Sequence, residues 1–407
     1  MIIRFLGGGR ELGGNCIELT SENNSILLDI GLPIENEQDV EVDFKDNYDG
    51  ILISHTHLDH YLRINSFKNK RNKVYISKPM KEILEVSKIF TNDKSIDYFD
   101  VALFENESFY IKDFKITPLL QDHSSFDARG FLIEVEGKVI FYTGDFRFHG
   151  RKKNLKQDLI KKLKKKKVDI LITEGTNILS NKKNIPEEEI QQEIYIKIKE
   201  TKGLVTANFS TQNIDRIVSI YKAARKNNRT LVVDLYTAYL LSKLNNICPN
   251  IPCPLTHSHI RVYYPKNQIK KLLISKIKEH RSILEIFRHK SIYLNEIALE
   301  DDKFVLQLRP SFLYEISSSL KPTLNIYSLW EGYLEKEEYK KLKSYSEENG
   351  IKFEIIHTSG HISQEELKRF ITEINPKHTF IIHTKETSDD ASFLGILYPH
   401  NNYKIEL

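Results

Sequence analysis

The chain has few cysteines, no long apolar run and no large excess of one charge, and each lack removes a class of protein. Three cysteines in 407 residues, Cys16, Cys248 and Cys253, supply neither a disulfide framework nor a four-cysteine zinc site. No apolar stretch approaches the roughly 20 residues that span a bilayer. The opening residues, Met1-Ile2-Ile3-Arg4-Phe5-Leu6, run into a glycine-rich turn and lack the apolar core and cleavage site of a secretory signal. A reducing cytoplasm with no membrane partner is the expected compartment. With 60 basic and 56 acidic residues the net charge is +4, which neither demands nor excludes nucleic acid. The basic residues are unevenly spread. Arg151–Lys167 holds ten of them and one acid, ending in Lys164-Lys165-Lys166-Lys167. That run reads either as a phosphate-attracting patch or as a solvated helix face in a lysine-rich chain.

What is present is a soluble, globular composition, 40% hydrophobic and 29% charged, with length for two or three domains. As far as about residue 175, short apolar runs alternate with turns: Ile2-Leu6, Asn15-Leu19, Ser25-Ile30, Gly50-Ser54, Phe109-Thr117, Phe131-Val135, Val139-Thr143 and Asp169-Thr173 read as strands, with helices at Pro79-Phe90 and Leu155-Lys167. The grammar then changes. Glu187-Glu200 reads as a helix, Leu204-Asn208 as a strand, Gln212-Asn227 as a helix and Thr230-Leu235 as a strand, the signature of a parallel sheet with crossover helices. In the tail, Ser363 opens a helix through Ile374 with Glu366 three residues on, a capping box, and Thr379-Ile382 is a last buried strand ending at His383.

The most informative stretch is His55-Thr56-His57-Leu58-Asp59-His60, which follows the apolar run Ile51-Leu52-Ile53. In extended chain, residues two apart point the same way, so His55 and His57 can hold one cation. After a turn, Asp59 and His60 can face a second. Three further candidate ligands close other strand ends: His123, Asp145 and His383. Singly, His123 or His383 reads as a hydrogen-bonded histidine. Together the set offers five imidazoles and two carboxylates, a donor supply suited to two zinc ions and acceptable to manganese.

His-x-His-x-Asp-His followed by a distant His, an Asp and a C-terminal His resembles the metallo-β-lactamase fold. The resemblance implies His55, His57 and His123 on one zinc, Asp59, His60 and His383 on the other, Asp145 bridging, and Asp29 bracing the histidine loop. Glu174 in Thr173-Glu174-Gly175-Thr176, His361 in Ser359-Gly360-His361, and His383 resemble the extra motifs of the β-CASP nucleases, a group that includes ribonuclease J and RNA 3′-end processing nucleases. Asn208–Ile217 and Ile326–Trp330 are also similar to segments of that group. The implied fold is α/β: a metallo-β-lactamase αββα sandwich, residues 1–178 and 350–407, with an inserted β-CASP domain, a parallel sheet flanked by helices, at 179–349. His383 is followed by Thr384-Lys385-Glu386 rather than the Gly-Glu common in ribonuclease J, which puts the substrate pocket in doubt more than the metal site. No RNA-binding domain is expected before residue 1 and no further domain after 407, so neither processivity nor dimerisation carries over.

The implied activity is zinc-dependent hydrolysis of RNA phosphodiester bonds, exo- or endonucleolytic, with two zinc ions per chain. Asp59, His361 and Glu174 are the expected catalytic residues: Asp59 orients the attacking water, and His361 serves the leaving group or phosphate with Glu174 fixing its tautomer. Ser210 and Thr211 before one helix, and Ser359 and Gly360 before another, are the expected phosphate contacts. Single-stranded RNA is the expected partner, and a homo-oligomer is compatible. The alternatives are a DNA nuclease of the same group, since the 2′-hydroxyl contact cannot be read from sequence, or a catalytically weak RNA-binding protein.

Overall fold

The computed structural model describes residues 1–34, 42–66, 72–91, 100–152, 154–385 and 396–407. Lys153 of the basic run and Glu386 after the last motif lie outside the described residues. The chain divides into two compact units: 1–81, 94–184 and 360–407 form the first, and 82–93 with 185–359 form the second. Among the described residues no helix is long and apolar enough to cross a membrane.

The first unit holds two seven-stranded sheets. One contains β1 (Ile2–Gly7), β2 (Cys16–Thr20), β3 (Ser25–Leu28), β4 (Gly50–Leu52), β5 (Lys73–Ser77) and β6 (Asp100–Phe104) in spatial order, with β20 (Tyr403–Glu406) beside β1. The other contains β7 (Phe109–Ile111), β8 (Phe114–Leu120), β9 (Arg129–Val135), β10 (Lys138–Tyr142), β11 (Ile170–Glu174), β18 (His378–Ile382) and β19 (Ile396–Leu397). Each is antiparallel at one end and parallel at the other. The central strands β3, β4 and β11 are buried on both faces because both are covered. On β9, Phe131 meets Phe104 of the facing sheet (5.7 Å between rings), and on β18, Phe380 meets Phe5 (5.2 Å). Their neighbours Leu132 and Ile381 point the other way, against Leu163 of the helix Leu155–Lys166 and Phe370 of the helix Gln364–Ile374. Helices therefore cover the outer face of the second sheet, as an α/β sandwich requires.

Both helices are legible in their sequence. Leu159, Ile160 and Leu163 give Leu155–Lys166 its buried stripe. Of the basic run, Lys166 pairs with Glu134 (2.9 Å) and Lys156 with Glu366 (3.2 Å). Ser363 caps its helix by accepting from the Glu366 amide (3.4 Å). The expected reciprocal half of the capping box is replaced, because the Glu366 carboxylate turns to Lys156.

The second unit is built on a six-stranded sheet in which every pairing is parallel. It contains β12 (Val205–Asn208), β13 (Thr230–Asp234), β14 (Ile260–Tyr263), β15 (Phe304–Gln307), β16 (Leu324–Tyr327) and β17 (Lys352–Ile355), in the order β14-β13-β15-β12-β16-β17. Helix Glu187–Glu200 has the expected bounds and buries Ile190, Ile194 and Ile198, one residue per turn. The next helix begins at Ile214, two residues after the expected start. Ser210 closes a turn first, accepting from the Gln212 amide (3.3 Å), and Asn213 then caps the helix by accepting from the Arg216 amide (3.1 Å). Inside the unit, Arg216 and Glu187 form a fully buried ion pair (2.9 Å), with Ser219 also donating to Glu187 (2.7 Å).

Candidate metal centre

The histidine loop leaves β4 and turns at once into the one-turn helix Leu58–Tyr61. Two glycines make that turn possible. A Cβ on Gly31 would lie 1.5 Å from the Asp59 carbonyl oxygen, and Gly13, at φ +73°, would press a Cβ to 2.7 Å from that of Asp59. Asp29 then fixes the loop from below. Its carboxylate accepts from the Ser54 amide (2.6 Å), the Ser54 hydroxyl (2.6 Å), the Tyr142 hydroxyl (2.5 Å) and His60 Nδ1 (2.7 Å). A carboxylate can only accept here, so the His60 proton sits on Nδ1 and Nε2 faces Asp145 (3.2 Å). The Ser54 hydroxyl, having donated to Asp29, accepts from His55 Nδ1 (3.1 Å), which leaves His55 Nε2 turned inward.

His123 follows β8. Its Nδ1 donates to the Gly360 carbonyl (2.6 Å), which aims Nε2 at His57 Nδ1, 3.2 Å away. Asp145 lies beyond β10, and His383 directly follows β18 at φ +54°, a conformation uncommon for histidine. The His383 amide donates to the Gly8 carbonyl (2.8 Å), its Nδ1 meets the Thr176 hydroxyl (2.9 Å), and its Nε2 lies 3.0 Å from Asp59 Oδ2.

The seven expected ligands form two donor groups, His55, His57, His123 and Asp145, and Asp59, His60, Asp145 and His383, beside a third of Asp145, Glu174 and His361, the donor atoms of each lying within 4.8 Å of one another. Asp145 belongs to all three. Four donor atoms, His55 Nε2, His60 Nε2 and both Asp145 oxygens, are buried with no hydrogen-bond partner among the described residues, an arrangement that costs free energy unless a cation satisfies them. Ligands at zinc bond lengths in a tetrahedron sit about 3.3 Å apart. The separations here are 3.2 Å for His57–His123, 3.0 Å for His383–Asp59 and 3.2 Å for His60–Asp145. The residues present fit a pair of divalent cations.

The electrostatics agree. Burial, reinforced by neighbouring imidazoles, holds His55 and His123 well below the usual histidine range, and burial takes His57 to about 4. Those rings are neutral and carry free lone pairs. Burial would raise the carboxylates, yet His60 and His383 hold Asp59 at about 2, and His60, His383 and His361 hold Asp145 well below its usual value. Conversely, burial disfavours charge on His60 and His383, but Asp145 and Asp59 outweigh it and raise both. Imidazole protons thus balance the carboxylates, and cation binding at the same atoms would release them.

At the rim of this centre stands His361, 23% exposed, whose Nδ1 donates to Glu174 Oε2 (2.9 Å) and lies 3.6 Å from Asp145. Burial opposes its charge, but Glu174 and then Asp145 raise it to about 9. Glu174 is itself held by the Phe146 amide (2.8 Å) and the Thr176 hydroxyl (2.6 Å).

Residues 28–191 match the model of a beta-lactamase superfamily domain, and residues 350–391 match a Zn-dependent metallo-hydrolase RNA specificity domain. The chain is 25% identical to ribonuclease J of Helicobacter pylori over 93% of its own length and 55% of that protein's. It is 23% identical to ribonuclease J of Mycoplasma genitalium over 94% and 67%. Along residues 28–191 and 350–391 the chain is thus similar to metallo-hydrolases of the beta-lactamase superfamily, and over most of its length it is similar to ribonuclease J. A crystal structure from Enterococcus faecalis V583, of a protein of unknown function, matches all of the chain and 99% of its own with a TM-score of 0.80 at 21% identity, a likeness of fold. The chain spans about half the length of the Helicobacter relative.

The seven expected ligands and Asp29 converge in the first unit, and Glu174 and His361 join them. The expected phosphate contacts are dispersed in role. Thr211 is buried, its hydroxyl bonded to Thr237 (2.7 Å) and to the Arg309 guanidinium, and Gly360 uses its carbonyl on His123. His357 lies against Arg216 in the second unit (3.5 Å). Sequence reasoning did not reach Thr176, which touches Glu174, His361 and His383 at once. It also missed the pair Asp122–Arg147 (3.2 Å), buried next to His123. Asp122 adjoins His123 and Thr176 follows Glu174 by two, and such adjacency was the available signal.

Proposed function

We propose that the chain is a metal-dependent ribonuclease that hydrolyses RNA phosphodiester bonds. Asp145, common to both donor groups and 3.6 Å from His361, is the observation that carries this reading. A single carboxylate there ties a two-cation site to the group that would handle the substrate. The names of the relatives and the match to an RNA specificity domain support RNA as the substrate.

His55, His57 and His123 would hold one cation, Asp59, His60 and His383 the other, and Asp145 both. Zinc suits this mixture of imidazole and carboxylate, and manganese is compatible with it. When bound, the pair supplies positive charge to the phosphodiester and lowers the pKa of a water to near neutrality. Asp59, whose side chain is 14% exposed, orients the attacking water. His361 holds a proton at the rim and gives it to the leaving oxygen or to a phosphate oxygen, while Glu174 keeps its Nδ1 protonated and its ring oriented. Ser210, Ser359 and the Gly360 amide are proposed phosphate contacts, with Thr211 orienting Arg309. The first unit carries the centre, and the second handles RNA.

The test is cleavage of 5′-labelled single-stranded RNA beside a matched DNA, with 5′-monophosphate and 5′-triphosphate ends, with and without chelator. Chelator-sensitive cutting of RNA is expected, and Asp59→Ala or His60→Ala should abolish it with the fold retained. Undiminished cutting by either variant would refute the ligand assignment. Equal cutting of DNA would move the substrate assignment to nucleic acid in general.

A further inference from the structure

In the second unit, the helices Lys266–Ile274 and Lys278–Ile286 form a hairpin joined by Ser275, Lys276 and Ile277. Its inner side is ordinary core: Leu272, Ile283 and Phe287 are fully buried. Its tip is not. Leu273 is 50%, Ile274 70% and Ile277 48% exposed, three large aliphatic side chains within five residues and open to water. Single exposed apolar residues are ordinary, but a contiguous group signals a partner.

The charges around the tip point one way. Lys270, Lys276, Lys278 and Arg281 are exposed, and none makes a hydrogen bond or ion pair with another described residue. From Lys266 to Lys290 the chain carries eight Lys or Arg residues against Glu279 and Glu285, and Glu285 already faces Arg288 (3.4 Å). The partner must therefore be anionic and also offer an apolar phase. A second copy of the same face would set these cations against themselves. An RNA strand would satisfy the cations but leaves the aliphatic tip in water, because nucleic-acid platforms stack bases on aromatic rings, and among the described residues of the tip the ring nearest the joint, His280, is bonded to Ser275 (2.8 Å). A lipid surface meets both demands: anionic headgroups for the cations, and the acyl boundary for the isoleucines.

We propose that this hairpin is a peripheral docking site for anionic lipid, with Ile274 and Ile277 entering the headgroup layer and the surrounding lysines facing acidic headgroups. Contact of this kind holds a protein on a membrane without crossing it.

The experiment is flotation of the full chain with vesicles of phosphatidylcholine alone or with about one-third phosphatidylglycerol, run beside Ile274→Ser/Ile277→Ser and Lys276→Gln/Lys278→Gln/Arg281→Gln. All these positions are exposed, and circular dichroism melting checks that the variants fold. The chain should float with the anionic vesicles only, and each variant should bind about tenfold or more weakly. Vesicle binding unchanged in the serine variant would overturn the proposal. So would lost affinity for RNA in the glutamine variant with no vesicle binding by the parent, which would assign the face to nucleic acid. A parent dimer that the serine variant dissolves, again without vesicle binding, would assign it to a second copy.

Discussion

His361 and Glu174 form the one part of the site whose chemistry can be separated from metal binding. His361 sits at the rim and donates its Nδ1 hydrogen bond to Glu174, so removing its ring deletes a proton donor and leaves the seven expected ligands in place. His361→Ala should keep most of its metal by elemental analysis and cut RNA about 100-fold or more slowly, the usual size of a lost general acid. Loss of a full equivalent of metal would make it a ligand instead. The pair also has a pH signature in metal-free protein. His361 is raised to about 9 when folded, against 6.5 for the unfolded ring. A raised folded value favours the folded state below pH 6.5, and that contribution disappears as pH climbs through about 9. Glu174→Gln should therefore cost more stability at pH 6 than at pH 10, measured by urea unfolding in chelator. An equal cost at both pH values would show that Glu174 acts through the Phe146 amide and Thr176 alone.

Among the elements, the helix Ile214–Lys226 shows what a buried charge does for a fold. Arg216 is fully buried, bonded to Glu187 (2.9 Å) and to the Ser328 and Ile356 carbonyls (3.3 and 3.4 Å). It ties its own helix to the preceding one and to the ends of β16 and β17. Removing one charge strands the other in a dry interior. Arg216→Met should destabilise the second unit by about 3–5 kcal/mol, and Glu187→Leu/Arg216→Met should recover much of that loss. Denaturant melts of the three proteins decide it, and a double variant as weak as the single one would mean that the bonds to the carbonyls matter more than the pairing. This ion pair was not legible in the sequence, whereas its helix was, and the contrast is general here. His55 to His60 could be read because ligand spacing is local and strand geometry is fixed. Asp29 and His383 could be read only as family motifs, since their partners lie far off in the chain. Thr176 and the Gly360 carbonyl carried little signal, because hydroxyls and backbone oxygens occur everywhere and gain meaning only from what folds against them. The start of the Ile214 helix was misjudged because Ser210 and Asn213 are both capping residues, and the turn between them chose the later one. The aliphatic tip at Ile274 escaped for a related reason: periodicity shows that a helix has an apolar side, but not that part of it stays uncovered.

At the scale of the whole molecule, the metal donors all fall within one of the two compact units, and this makes metal removal a probe of architecture. A ligand that binds only folded protein stabilises it by RT ln(1 + [L]/Kd), about 4 kcal/mol at a thousandfold excess over Kd. For a unit of this size that corresponds to a melting shift of roughly 10 °C. The effect should be large here, because the four unpartnered buried donor atoms are a cost that only the metal-free fold bears. The second unit has its own sheet and its own core around Val232, Leu306, Phe312 and Leu342, and contributes none of those donors. Calorimetry with and without chelator should therefore move one transition by about 10 °C and leave another nearly fixed, and readdition of zinc should restore the first. A single transition that shifts as one would show that the two units unfold as a cooperative whole. No shift at all would mean that the donors hold no cation in solution, and would remove the basis of the proposed chemistry along with it.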